Sequence, residues 1–423
     1  MVKKARGDEL KTYLWWQWRI TRRIVPLVIL FLTVTGGAAL LFIHSLTQQK
    51  QYVAQYKTDI QFDLVRRDKK TAAADKWLNT WILPELHNER NALSSPEQYA
   101  SGFAKSLNVL VHPTPADGQP SGLRKQFSSL VVPYAQFFGG QEMNTTLTEL
   151  ALVKKRRITP MYPARLLLNE QSVEYFSANP ALYSQYVQKV AKRFYERAWY
   201  FLQYLISQNG GLVLGAIVSF ALAWRYALQM SAGARHNNTF LVLGVTPTKQ
   251  YWLSTLFNWG VAFAFVTLSV GLFLLLSAWR NGWGALNYPI LLWRGDAVMS
   301  SHGFANLGTV LSDEALLFFA SLLFGLSFAH LLSVLVKQPL TTLLATVSLW
   351  GVPLVAPSWR WAPWTYFNFS RVADGYAQTF FQTYDARGGT FVLLGWTVLF
   401  ITLGALWLKV TERGFGGYGD SGN

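Results

Sequence analysis

The sequence has no cysteine, few charged residues and no phosphate-binding loop. Without cysteine there are no disulfides, no cysteine-based zinc sites and no thiol catalysis. The charged fraction is 14%, whereas a soluble domain carries about a quarter, so much of the surface must face something other than water. No Gly-Lys pair occurs, which excludes the G-x-x-x-x-G-K-[ST] loop that cradles nucleotide phosphates. Any ATP hydrolysis linked to this chain must therefore take place in a partner.

What the sequence does contain is six long apolar runs. A bilayer core of roughly 30 Å needs about 20 mainly apolar residues in a helix, and each run is close to that length or exceeds it. The runs are residues 24–43, 199–223, 251–279, 315–336, 339–355 and 390–408. We expect an all-α polytopic membrane protein with six transmembrane helices. Only Lys337 and Gln338 separate the fourth and fifth runs, so a re-entrant hairpin is the alternative for that pair.

The distribution of Lys and Arg predicts the orientation. If residues 1–23 are cytoplasmic, the inside segments hold thirteen Lys and Arg and the short outside loops hold five, which is the bias expected of cytoplasmic loops. Both termini are then cytoplasmic. Residues 24–43 form the first span, 44–198 are extracytoplasmic, 199–409 contain spans 2 to 6, and 410–423 form a tail. The absence of cysteine fits a bacterial protein with a large exposed part, so we expect a multi-pass protein of the bacterial inner (plasma) membrane.

Residues 8–23 have the pattern of a helix that lies in the membrane interface. At about 100° per residue, the apolar and aromatic side chains fall mostly on one side and the cations on the other, as in in-plane helices. The residues expected at the interface are Trp15, Trp16, Trp18, Arg19, Arg22 and Arg23, of which Trp15 departs from the pattern. An aromatic flank of the first span is the alternative.

The extracytoplasmic segment is predicted to be a mainly α-helical domain. Apolar residues recur with helical spacing through most of it, and Pro-rich stretches at 111–122 and 159–165 interrupt it. Its basic run, 154–157, is either a solvated face or a contact for anionic lipid heads, wall polymers or another anionic ligand.

The stretch RHNNTFLVLGVTPTKQYWL, residues 235–253, lies between the second and third runs. Its apolar part predicts a short helix across the membrane surface, with Leu243 four residues and Pro247 eight residues after Thr239. This spacing resembles the loop of ABC-2 type ABC transporter permeases, in which G-T-x-x-x-L-x-x-x-P forms the coupling helix. The family usually has acidic residues before its Gly-Thr pair, whereas this chain has Arg235, His236, Asn237 and Asn238.

The resemblance implies a permease subunit that binds a cytoplasmic ABC ATPase through a coupling helix at about 235–248. An apolar helix face in a partner groove is a common mode of recognition. The residues expected to dock are Thr239, Phe240, Leu241, Leu243 and Pro247. ATP and magnesium would be bound by the ATPase, and this chain would hold no cofactor or metal. It would also contact membrane lipid, but not nucleic acid.

The same resemblance implies further parts of the architecture. Residues 8–23 resemble the family's connecting (elbow) helix, and residues 363–375 are similar to its short outer helices between spans five and six. A second permease half, identical or similar, is expected. Gly211 and Gly215 form a small-xxx-small face that permits close helix approach, either within the chain or with that second half. The predicted function is export of a hydrophobic or amphipathic substrate, such as a peptide, lipid-linked molecule or drug.

Three other functions make different demands on the sequence. A proton- or sodium-coupled transporter would be expected to place ionisable residues inside its spans, and the runs contain only His330, which is predicted to serve in packing. An enzyme would need a catalytic constellation. The scattered histidines give none, and Asp313 and Glu314 are predicted to cap the fourth helix. A force-transmitting or sensory ABC-type subunit, whose outer domain recognises a peptide or cell-wall partner, is the alternative that stays open.

Overall fold

The computed structural model describes residues 25–70, 140–163, 192–230, 246–294, 301–356, 358–380 and 385–416, with a few residues between 86 and 104 and residue 167. These residues are mostly helical. The helices are α1 (Val25–Lys70), α2 (Gly140–Arg156), α3 (Ala198–Ser207), α4 (Gly210–Met230), α5 (Pro247–Asn281), α6 (Leu307–Val336), α7 (Pro339–Gly351), α8 (Phe369–Ala373), α9 (Tyr376–Phe380) and α10 (Ala386–Gly416). The strands are β1 (Pro289–Arg294) and β2 (Ser301–Asn306), and 3-10 turns cover Val352–Leu354 and Pro363–Phe367.

Among the described residues, five helices are long and apolar enough to cross a membrane: α1, α4, α5, α6 and α10. They correspond to five of the six apolar runs, so a multi-pass membrane protein is supported directly. The fifth run forms a shorter element instead. Its helix α7 has 13 residues, or about 20 Å at 1.5 Å per residue, and continues only as the 3-10 turn that includes Pro353.

The second apolar run is also not one continuous helix. The chain breaks between α3 and α4 at Asn209, whose φ of 62° lies in the left-handed region. Asn adopts that region more readily than most residues, and the two glycines that follow allow a fresh start. The second spanning helix therefore begins at Gly210 and runs to Met230, several residues beyond the predicted end at 223.

The helices pass back and forth, and their contacts give their directions. Asp313, near the start of α6, lies close enough to Arg387, near the start of α10, to feel its charge. Val334, near the end of α6, lies in one buried cluster with Ile401 of α10, against which Leu408 packs, so α6 and α10 run side by side in the same direction. The helix α5 runs opposite to them. The chain must therefore return between α6 and α10, and α7 with the segment 352–385 makes that return.

A β-hairpin joins α5 to α6, so the fold is not purely helical. The two strands pair antiparallel, with Pro289 opposite Asn306 and Arg294 opposite Ser301. We call the end of the bundle with this hairpin the hairpin end. The opposite end, with Met230, Thr246 and Lys337, is the loop end. The short continuous apolar run Ile290–Trp293, which follows Pro289, was a strand signal within a segment expected only to be a loop.

The core of the bundle lies between α4, α5, α6, α7 and α10. Buried apolar residues of these helices form one cluster with the turn 363–367 and α8, so this part of the chain lies inside the bundle and not on its surface. Residues 363–375 do form short helical turns, as expected. The helix α1 is peripheral and packs chiefly against α5, with Phe42 against Phe201 and Phe273.

Candidate functional site

Most of the predicted docking residues lie outside the described part of the chain. Thr239, Phe240, Leu241 and Leu243 fall within residues 231–245, and the interface residues Trp15, Trp16, Trp18, Arg19, Arg22 and Arg23 precede residue 25. Pro247 is described, and it is the first residue of α5. Proline is favoured at that position because its fixed φ suits the first helical turn and its missing N–H is not needed there.

The start of α5 limits the predicted coupling helix. Thr246 is the N-cap: it has extended backbone angles, and its side chain accepts a hydrogen bond from the N–H of Lys249 at 3.3 Å. Residues 247 and 248 therefore belong to the third spanning helix, so the predicted coupling helix at about 235–248 overlaps α5 by two residues. The rest of that prediction lies outside the described residues.

The helices on both sides of this segment meet in a buried cluster at the loop end. Tyr226 of α4, Tyr251 of α5, Val334 of α6 and Ile401 of α10 pack together, and Met230 lies against them. Met230 is the last residue of α4, so the cluster begins where the segment 231–245 leaves the bundle. The polar side chains in and beside this apolar cluster are called the loop-end cluster: Tyr226, Tyr251, Thr255, Asn258 and His330.

His330 connects α6 to α5 through two hydrogen bonds and is fully buried. Asn258 Nδ2 is 2.9 Å from Nε2 and Thr255 Oγ1 is 2.8 Å from Nδ1. Because the amide nitrogen can only donate, Nε2 must accept, which leaves Nδ1–H to donate to Thr255. The Thr255 hydroxyl in turn donates to the Tyr251 carbonyl at 2.9 Å. The imidazole is therefore satisfied in its neutral form.

Aromatic contacts extend the loop-end cluster to α4 and α10. The Tyr226 ring centroid lies 4.0 Å from that of His330. The Tyr251 hydroxyl lies against Gly404 of α10, so close that only a residue without a side chain fits there. Four spanning helices thus meet at one polar, close-packed point. The hydrogen bonds of His330 are complete, whereas the buried Tyr251 hydroxyl has no hydrogen-bond partner among the described residues. The expectation that His330 serves in packing agrees with this position.

Gly211 and Gly215 face aromatic rings of the same chain. A Cβ at Gly211 would lie 2.8 Å from the Phe369 ring, and one at Gly215 would overlap the ring of Trp350. Trp350 of α7 lies between α4 and α6, where its Nε1–H donates to Ser219 Oγ at 3.1 Å. Of the two interpretations of the small-xxx-small face, packing within the chain is the one seen here.

A buried ion pair lies at the hairpin end. Arg193 donates to both carboxylate oxygens of Glu149, at 2.8 and 2.7 Å, and the Tyr288 hydroxyl donates to Oε1 at 2.9 Å. Glu149 belongs to α2, Arg193 precedes α3 and Tyr288 precedes β1. These bonds, with the bond from Arg156 to Asn306 at 2.9 Å, fasten the predicted extracytoplasmic residues to the bundle.

The electrostatics of this junction follow from its burial. Burial of the Arg193 guanidinium works to lower its pKa, but the charge and hydrogen bonds of Glu149 outweigh burial and raise the pKa. Burial, and then the Glu149 charge, raise the pKa of Tyr288 well above its ordinary value. Burial also raises the pKa of Glu196, against the opposing effects of Gln49 and Arg197.

The side chains of the basic run 154–157 face in different directions. Arg156 is half-buried and donates to Asn306, while Lys154, Lys155 and Arg157 are exposed.

Asp313 and Glu314 do not cap the fourth helix. Helix α6 begins six residues earlier, at Leu307, with Asn306 as its N-cap, because the hairpin delivers the chain to that point. Glu314 instead lies in the second turn, 1% exposed, and accepts a hydrogen bond from Gln203 Nε2 at 3.0 Å. Because α6 begins before the predicted run 315–336, this helix of spanning length also contains a buried carboxyl group just outside that run.

Within the described ranges, no group of three or more His, Asp and Glu side chains could hold a metal ion. The chain was compared with protein-family models, with curated proteins and with solved structures, and none of them matched it.

Proposed function

We propose that this chain is the permease subunit of an ABC transporter, which exports a hydrophobic or amphipathic substrate with energy from a separate cytoplasmic ATPase. The observation that carries the proposal is the position of the segment 231–245. It joins two helices of spanning length where both are packed against α6 through Tyr226, Tyr251 and His330. A force on this segment would reach three helices at once, as energetic coupling through packed elements requires.

The topology gives further support. Since α6 and α10 run in the same direction, the described chain ends, Val25 and Gly416, lie at the same end of the bundle as Met230 and Thr246, the residues that flank 231–245. This arrangement fits six passages with both termini in the cytoplasm, α7 being a broken fifth passage. Irregular backbone at membrane depth is tolerated where it is buried in protein, and the turn 363–367 is buried in this way.

In this mechanism the apolar residues of 240–243 occupy a groove of the ATPase, and nucleotide-driven closure of the ATPase moves α4 and α5. The loop-end cluster passes this movement to α6 and α10. The substrate class is inferred from the apolar and aromatic spans and from the resemblance to ABC-2 permeases. The ATPase supplies ATP and magnesium binding, and a second permease half, identical or similar, completes the transporter.

The test is co-purification of the tagged chain with an ATPase from its native host, comparing Leu243→Asp with Leu243→Met. Full burial of a leucine contributes about 1.5–3 kcal/mol, so the aspartate variant should weaken docking by roughly ten- to hundred-fold. The methionine variant retains apolar volume and should bind normally. We expect a stoichiometric ATPase with the wild type and Leu243→Met, and its loss with Leu243→Asp.

Membrane insertion must be unaffected for the comparison to count, so both variants should be extracted and elute as the wild type does. Normal recovery of ATPase with Leu243→Asp would refute the docking site. Absence of any ATPase from the wild type would refute the permease assignment as a whole.

One observation favours the alternative of a force-transmitting or sensory subunit. The buried pair of Glu149 and Arg193, with Tyr288, makes a stiff link between α2 and the start of β1. A stiff link suits a domain that passes force or a binding signal through the membrane. The two functions differ in liposomes that contain the chain and its ATPase: an exporter accumulates substrate there, whereas a sensory subunit changes ATP hydrolysis only when an outer ligand binds.

A further inference from the structure

Two buried side chains meet at the hairpin end with more acceptor atoms than donors. Gln203 of α3 donates its Nε2–H to Glu314 Oε1 at 3.0 Å. The amide oxygen of Gln203, Oε1, and the other carboxylate oxygen of Glu314, Oε2, are buried and have no hydrogen-bond partner in the part of the chain that the structure describes. Gln203 is 8% exposed and Glu314 1% exposed, so neither oxygen is open to bulk solvent.

Such a pair is costly if Glu314 is ionised. A buried charge is tolerated when it is paired and hydrogen-bonded, and buried acceptors without donors cost free energy. The groups that act on the carboxyl group are Gln203, Ser370, Asp374 and Asp313. Gln203 and Ser370 act as hydrogen-bond donors, which favours the ionised form, whereas Asp313 and Asp374 would repel a negative charge. None of the four is a cation.

A proton on Glu314 would neutralise the carboxylate and give both unpaired oxygens a hydrogen bond. We propose that Glu314 is a proton-binding site, in which the protonated carboxyl group and the Gln203 amide form a closed ring of two hydrogen bonds. In this ring Oε2–H of Glu314 donates to Gln203 Oε1, while Gln203 Nε2–H donates to Glu314 Oε1. The carboxylic acid has one donor and one acceptor on a planar group, as the amide does, so the two fit face to face.

Protonation of Glu314 would also affect the contact between α3, α6 and the residues around α8. Gln203 lies in α3, Glu314 in the second turn of α6, and Ser370 and Asp374 lie on and after α8. Loss of the proton would leave a carboxylate beside Asp313 and Asp374 and would separate these elements. Asp313 itself lies close enough to Arg387 and Asp385 to feel their charges. Closure of the hairpin end is therefore linked to one protonation event, independently of any ATPase.

The decisive experiment is infrared spectroscopy of the purified wild type, Glu314→Gln and the exchange variant Gln203→Glu with Glu314→Gln. At neutral pH the difference between wild type and Glu314→Gln should contain the carbonyl band of a protonated carboxylic acid. The exchange variant rebuilds the ring with the roles reversed, so the band should return. In the wild type the band should disappear as the pH is raised.

Thermal unfolding gives a second readout. If the folded state keeps a proton that an ordinary glutamate loses above about pH 4.3, stability falls as the pH rises above that value. Glu314→Gln supplies a neutral donor of the same shape, so it should fold and should lack this part of the pH dependence. Glu314→Asp is too short to close the ring and should lower the unfolding midpoint.

Three results would overturn the proposal. The difference spectrum at neutral pH could contain carboxylate bands only, which would mean that another donor, such as the Ser370 hydroxyl, holds an ionised Glu314. Glu314→Gln could fail to fold, which would mean that the charge is required. The exchange variant could fold without the acid band, which would mean that Gln203 does not share the proton.

Discussion

Gly215→Ala should destabilise the bundle, although alanine is the better helix former. A methyl group at this position would overlap the Trp350 ring. The ring is held in place by its hydrogen bond to Ser219 and by close packing on Gly325, where an added Cβ would lie 3.2 Å from Nε1. Overpacking a core costs about 1–3 kcal/mol, while Gly→Ala in a helix gains about 0.5–1 kcal/mol. We therefore expect a net loss of up to about 2.5 kcal/mol.

The matched controls are Gly260→Ala in α5 and Gly395→Ala in α10. An added Cβ meets no atom within 4 Å at either position, so only the helix-forming gain of up to about 1 kcal/mol remains. The assay is the unfolding midpoint of each purified variant in the same detergent. In soluble domains of 150–250 residues 1 kcal/mol moves the midpoint by about 2–4 °C, so Gly215→Ala should lower it by a few degrees.

A second substitution separates the cause from general damage to α4. Trp350→Phe removes the ring that the new methyl group would meet. Combined with Gly215→Ala, it should give a smaller loss than the two single losses added together, as expected for residues in contact. If Gly215→Ala behaves like Gly260→Ala, or if the two losses simply add, Trp350 does not fill the space over Gly215 and the packing argument fails.

Three other predictions follow from the site. Arg193→Ala should cost about 3–5 kcal/mol in unfolding free energy, because it leaves the buried Glu149 carboxylate unpaired, and the double variant Arg193→Met with Glu149→Leu should recover most of that loss. Burial, and then the Glu149 charge, raise the pKa of Tyr288, so the unfolded chain loses the phenolic proton at a lower pH than the folded chain does. The unfolding midpoint should therefore fall as the pH rises above about 10, and it should fall less steeply in Tyr288→Phe. His330→Phe removes the hydrogen bond to Asn258, so it should lower the amount of substrate transported per ATP hydrolysed while the ATPase still co-purifies. If ATPase binding and transport per ATP fall equally, the loop-end cluster does not have the proposed role.

The sequence predicts the spanning helices better than the breaks in them. Long apolar runs identify five helices because lipid-facing and buried surfaces are both apolar. The break at Asn209 and the end of α7 before Pro353 depend on single residues inside apolar runs. Asn-Gly and Pro are known breakers, so these signals were present in the sequence, but run length alone passes over them.

The contacts at the two ends of the bundle differ in how far the sequence reveals them. Tyr251, Thr255 and Asn258 recur with helical spacing in an apolar run, which is the pattern of a polar face turned inward. The pairing of Glu149 with Arg193 and Tyr288 has no such signal, because residues 44 and 139 positions apart are brought together only by the fold. The burial of Glu314 likewise depends on where the hairpin starts α6.

The 46 residues of α1 form an uninterrupted rod of about 69 Å at 1.5 Å per residue. About 27 of those residues, or roughly 40 Å, lie beyond the first apolar run. Gln49 donates to the Tyr162 carbonyl, and Tyr52 packs against Phe194, so the rod is attached to the residues around it. Because α1 is held in the bundle chiefly by α5, it can act as a lever arm. A tilt of about 10° at the membrane would displace its far end by about 7 Å, so a small movement of α5 becomes a large displacement far from the bilayer.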